Sequence, residues 1–142
     1  MDIKLIVALI GLAGVATSAL IQFYLGRLSL LKKKAIDLKA NAYVDLIQSI
    51  SDIAASAKYG KGKNKEQLKK LTDAKNRVIL FGSDKVILNL NAFFADHGVL
   101  DNELAFDSFS SMVSEMKRDI SGKHKLSVSI LREALFGNEI EV

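Results

Sequence analysis

The chain has no cysteine, no proline and no tryptophan among its 142 residues. Without cysteine there is no disulfide framework, no thiol nucleophile and no sulfur ligand for zinc. Without proline, and with only nine glycines, little in the sequence can interrupt a helix. Aromatic and β-branched residues are too sparse and too irregularly alternated to outline a sheet. Histidine is scarce too, since His97 and His124 stand alone in different segments. There is no HExxH, no GxSxG and no glycine-rich loop ending in Lys-Ser or Lys-Thr. The carboxylates Asp101, Glu103 and Asp107 fall near a helix start, where the dipole favours negative charge whatever the chemistry. The expectation is an all-α protein that is not an enzyme and holds neither metal nor cofactor.

What the chain does have is a long apolar run, Ile3 to Leu25, with no charged residue between Lys4 and Arg27. About 20 apolar residues at 1.5 Å rise cross a hydrocarbon core of roughly 30 Å, so the run is long enough to span a bilayer. A cleaved secretory signal is the alternative, because Gly14-Val15-Ala16 offers small residues at a cleavage site. Against it, the run continues to Leu25, and no cysteine exploits an oxidising compartment. A retained anchor over residues 1–26 is the reading, with the lipid bilayer as its first partner.

Orientation follows from the flanking charges. Lys4 and the terminal amine precede the span, set against Asp2, whereas Arg27, Lys32, Lys33, Lys34 and Lys39 follow it with only Asp37 opposed. Positive flanks stay cytoplasmic. This predicts a single-pass protein of the inner, cytoplasmic membrane, with its N-terminus outside and residues 27–142 forming a cytosolic helical bundle. That length suffices for one modest hydrophobic core. Residues 27–81 hold 13 Lys/Arg against 5 Asp/Glu, a net of +8, and residues 82–142 hold 6 against 10, a net of −4. Anionic lipid attracts a juxtamembrane Lys or Arg by about 1 kcal/mol, so the basic half needs no nucleic acid to explain it.

Within the span, Gly11, Gly14, Ser18, Gln22 and Gly26 recur at steps of three and four and so share one helical stripe, with Thr17 beside it. Small residues let helices approach closely in lipid, which marks Gly11, Gly14, Ser18 and Gln22 as the interface of a homo-oligomer. The other reading is that small residues are common in spans and that Gln22 lies near enough to the interface to reach water.

Helical periodicity continues past the span. Ile36, Tyr43, Ile50 and Ala57 recur every seven residues, with Leu46, Ile47, Ile53 and Ala54 between them. This predicts one long helix to about Lys58, its stripe forming either the core face of a bundle or a coiled-coil seam. The loop YGKGKNKEQ follows, and its G-x-G comes after a helix rather than a strand, which does not support a nucleotide fingerprint. Lys65–Phe81 forms the next helix, with Leu68, Leu71, Ala74, Val78 and Phe81 inward. Gly82 ends it, and Ser83 or Asp84 caps a third helix whose inner side is Val86, Leu90, Phe93, Phe94 and His97. His97 at that helix's end suits the dipole when protonated. Asp101 is expected to cap a fourth helix lined by Phe106, Phe109, Met112, Val113, Met116 and Ile120. A short segment from Ser127 to Gly137 closes the chain, with alternation at Leu126–Ile130 leaving a strand open there. Phe81, Leu90, Phe93, Phe109 and Met112 are expected to be buried together.

The basic residues Lys58, Lys61, Lys63, Lys65, Lys75 and Arg77 are the candidate ligand-binding set, suited to an anionic ligand such as a cyclic nucleotide. Arg77, inside an apolar stretch, is set apart from the lysines, with a buried structural pair as its favoured role. The segment LKKLTDAKNRVILFGSDKVILNLNAFF with the later EMKRDISG resembles a pattern found in many small bacterial proteins with one N-terminal span and a helical cytosolic domain. The likeness covers roughly residues 65 to 122 and implies a fold rather than an activity. The layout is also similar to that of small membrane effectors of type III CRISPR systems, in which a cytosolic domain senses a cyclic oligoadenylate. That similarity implies an oligomeric effector or sensor in antiviral defence, whereas a membrane-tethered scaffold that docks a protein partner is the alternative.

Overall fold

The computed structural model describes residues 2–60, 62 and 64–137. Every regular element among them is a helix: α1 (Ile3–Lys58), α2 (Lys65–Phe81), α3 (Asp84–Asp96), α4 (Glu103–Ser121) and α5 (Val128–Phe136). The chain forms two compact units, Met1–Ile36 and Asp37–Val142.

In the first unit α1 carries an apolar window that is long and apolar enough to cross a membrane, and none of that window is buried. It runs through Ala16 without a break. Its hydroxyls serve their own helix: Thr17 Oγ1 donates to the Ala13 carbonyl at 2.8 Å, and Ser18 Oγ to the Gly14 carbonyl at 3.0 Å. Such back-bonding lets Ser and Thr sit in an apolar solvent without a partner.

In the second unit, α1 from Asp37 onward presents Ala42, Tyr43, Leu46, Ile50 and Ile53 as its buried stripe. That burial assigns the stripe to a core face. α2 contributes Ala74 and Val78, α3 contributes Val86, Leu90 and Phe93, and α4 contributes Ala105, Phe109, Met112 and Met116. Phe93 anchors the centre, edge-on to Phe94 at 5.1 Å and tilted to Phe109 at 5.8 Å. α5 buries no residue completely, yet its Phe136 stacks on Phe106 at 4.5 Å and closes the side of the core.

The helix ends follow local chemistry. Asn64 and Gln67 form a reciprocal capping box at the start of α2. Ser83 caps α3 and Ser127 caps α5 through their hydroxyls. The cap of α4 is Asn102, whose side chain accepts the Ala105 N–H at 2.9 Å, rather than the expected Asp101. Residues 128–136 are helical, which removes the strand alternative.

Three expected core residues lie outside the core. Phe81 is 39% exposed, Ile120 36% and Leu68 44%, and two ends of the seven-residue repeat, Ile36 and Ala57, are exposed as well. The cause at Phe81 is its neighbour. Gly82 packs its bare backbone against Tyr43, so that a Cβ there would stand 2.5 Å from the Val78 carbonyl and 3.2 Å from the Tyr43 hydroxyl. The next inward position after Val78 is thus filled by main chain, and the Phe81 ring turns away.

Candidate functional site

In the apolar stretch of α1, Gly11, Gly14, Ser18 and Gln22 are all exposed, and an added Cβ at either glycine would meet nothing within 4 Å. This face is open to close approach by another helix.

The expected basic set does not converge. Lys58 and Lys65 are exposed at either side of the α1–α2 loop, and Lys61 and Lys63 lie outside the described residues. Lys75 sets its ammonium 4.0 Å from the centre of the Phe94 ring, a cation–π contact that ties α2 to α3. Arg77, two residues on and therefore facing another way, donates to Asp45 of α1 at 2.6 Å and to Asp73 at 3.0 Å. The Asp45 hydrogen bond, helped by the negative charges of Asp45 and Asp73, outweighs the opposing effect of burial and holds the guanidinium protonated more firmly than usual. Arg77 thus makes the structural pair that its place in an apolar stretch favoured, though a half-exposed one.

Between α1 and α2 runs a polar cleft, made of two adjoining hollows of about 400 and 280 Å³ that share Ser49, Asp52 and Lys70. Asp45, Asp52, Glu66 and Asp73 line it against two cations, Lys70 and Arg77. Both cations are already paired, Lys70 with Glu66 at 3.6 Å and Arg77 as above. The hollow beside the lysine-rich loop therefore presents an excess of negative charge. On another side lies an apolar groove of about 520 Å³, floored by Ala54, Ala57, Leu100, Phe106 and Phe136 with Lys58 and Asp101 at its lining.

A third polar assembly escaped the sequence reading. The buried Tyr43 hydroxyl donates to Asp119 of α4 and accepts the Ser83 backbone N–H at 3.3 Å, while Lys39 reaches the same carboxylate at 3.2 Å. Burial, and then the hydrogen bond to Asp119, push the Tyr43 phenol well above its usual pKa. The phenol is therefore a fixed donor that locks α1 to α4 and to the α2–α3 turn, and not a base. Its partners stand 40 and 76 residues away in sequence, a separation that no periodicity reveals. Among the described residues no group of three or more His, Cys, Asp or Glu side chains is placed to hold a metal ion.

Comparison of the chain with protein families, with characterised proteins and with solved structures finds no match.

Proposed function

We propose that this is a single-pass protein of the bacterial cytoplasmic membrane, assembled as a homo-oligomer, whose cytosolic bundle senses a ligand or partner and acts on the membrane helix. The observation that carries it is α1. One uninterrupted helix bears both an apolar segment with no buried window and the buried stripe from Ala42 to Ile53. Exposed apolar surface on that scale requires lipid or another chain as cover. Any signal that repacks Tyr43, Leu46 or Ile50 therefore acts on the helix that carries the span. By analogy of layout we set this effector in antiviral defence.

The chemistry of the bundle qualifies the signal. Two of the six basic candidates are engaged within the fold, so an anionic ligand such as a cyclic nucleotide would rest on Lys58, Lys65 and their loop. The apolar groove supports the second reading, a membrane-tethered scaffold that docks a protein partner through α1, α4 and α5.

Expression in bacterial cells tests both parts. The effector reading expects the chain in the alkali-resistant membrane fraction, a C-terminal fluorescent reporter lit in the cytosol, and membrane depolarisation when a cyclic oligoadenylate is supplied. Release by alkali sinks the anchor. A stable anchor with no depolarisation under any cyclic nucleotide leaves the scaffold.

A further inference from the structure

The apolar groove of the second unit is assembled from distant parts of the sequence. α1 supplies Ala54 and Ala57, whose methyl side chains leave a shallow floor, and the α3–α4 connection supplies Leu100. The stacked rings of Phe106 and Phe136 complete it. None of these five side chains is fully buried, so water meets carbon along the groove and an apolar cover is favoured there.

Phe136 brings one particular cover within reach. It is the last residue of α5, and Gly137, at a φ of 69°, ends the helix beside the groove. The chain continues as Asn138-Glu139-Ile140-Glu141-Val142, which lies outside the described residues. Its pattern alternates: in an extended segment Ile140 and Val142 point to one side, and Glu139 and Glu141 to the other. Five extended residues reach about 17 Å, about twice the edge of a cube of the groove's volume, about 520 Å³. Lys58 and Asp101 both stand at the lining, and the Asn102 amide already donates to Asp101 at 2.7 Å, so the lysine is left to meet an outward glutamate. A tail joined to the groove by one glycine is held there at an effective concentration on the order of millimolar, which a segment of another molecule has to match.

From these observations we propose that residues 138–142 lie extended in the groove with Ile140 and Val142 inward, covering this surface until a partner with an apolar segment of its own displaces them. Two aliphatic side chains set against the ordering of five residues make a weak contact, which is what a displaceable cover requires. The contact stays within the second unit and is independent of the membrane reading.

The absence of cysteine makes the test direct. Full-length protein in detergent carrying Ala57→Cys with Ile140→Cys is oxidised beside a control carrying Leu80→Cys with Ile140→Cys. Leu80 is exposed on α2, three residues before the Ser83 that contacts Tyr43, and Tyr43 lies 14 residues from Ala57, about 21 Å along α1. The cover expects a disulfide within one chain that forms about tenfold faster at Ala57 than at Leu80. A second arm labels single cysteines with a maleimide. There Ile140→Asp with Val142→Asp is expected to speed labelling of Ala57→Cys about threefold, by emptying the groove, and to leave labelling of Leu80→Cys and the helix content unchanged. Equal disulfide rates at Ala57 and Leu80, or labelling of Ala57→Cys that the two aspartates do not alter, overturns the proposal. A disulfide formed only between chains overturns it as well and makes the tail of a second copy the occupant.

Discussion

At Tyr43 a single hydroxyl holds three elements together, and its acid–base chemistry gives the contact a measurable signature. The folded phenol is protonated to higher pH than an unfolded one, because burial and the Asp119 carboxylate both disfavour the phenolate. A raised folded pKa contributes stability that is complete below the unfolded value of about 10 and is lost as pH rises above it. Urea unfolding of the full chain in detergent, repeated from pH 8 to pH 11, is therefore expected to show a fall in stability above about pH 10 that Tyr43→Phe lacks. At pH 8 the same variant should be weaker by about 1–3 kcal/mol, since it leaves a half-buried carboxylate with one partner fewer. An identical alkaline limb in both proteins would mean that another group titrates. Arg77 offers a second residue-scale test. Its side chain is 37% exposed and Asp45 is 42% exposed, so solvent screening keeps the pair small, and a double-mutant cycle of Arg77→Ala with Asp45→Ala should give a coupling of about 0.5–1 kcal/mol. A coupling near zero would free Arg77 for ligand binding.

At the scale of elements, what could be read from sequence was what local chemistry determines. The bounds of α2, the cap of α3 and the ends of α5 are set by residues within four positions of one another, and sequence narrowed them to a polar residue or glycine bracketing an apolar run, with Ser83 and Asp84 both open for α3 and a strand open at the start of α5. The start of α4 shows where this stops. Asp101 and Asn102 are adjacent and both accept hydrogen bonds, so only the backbone decides which faces the free N–H groups. Asn102 does, while its own amide donates to Asp101 at 2.7 Å. Asn102→Ala should therefore cost about 1 kcal/mol in thermal or urea unfolding, and Asp101→Ala should stay within about 0.5 kcal/mol of the parent. The reverse order would return the cap to Asp101. Phe81 and Ile120 mark a different limit, because helical periodicity says which side of a helix is apolar but not how far along it the neighbouring helix extends. Gly82 against Tyr43 ends the core one position early, and that depends on a tyrosine in another helix.

At the scale of the whole molecule, the candidate site was the least legible part, since a basic segment in sequence need not be a basic surface in space. α2 turns Lys75 onto Phe94 and Arg77 onto Asp45, and the cleft beside them collects carboxylates from both helices. The apolar stretch of α1 was more legible, because being long and apolar enough to cross a membrane asks only for composition and length. Its assembly is the open question that composition poses. Thr17 and Ser18 spend their hydroxyls on their own helix, so polar bonding between copies would fall to Gln22, and close approach to Gly11 and Gly14, where nothing in the chain occupies the space a Cβ would take. Association of that kind depends on backbones meeting without intervening bulk. Gly14→Leu places a branched side chain in the middle of the stripe while leaving apolarity and helix length sufficient to span. Cross-linking of the full chain in native membranes is expected to give a ladder for the parent and predominantly monomer for Gly14→Leu. Ala16→Leu adds the same bulk two residues on, which at 100° per residue is the opposite side of the helix, and should leave the ladder intact. If Gly14→Leu assembles like the parent, the contact between copies is not made by this face, and the cytosolic bundle becomes the place to look for it.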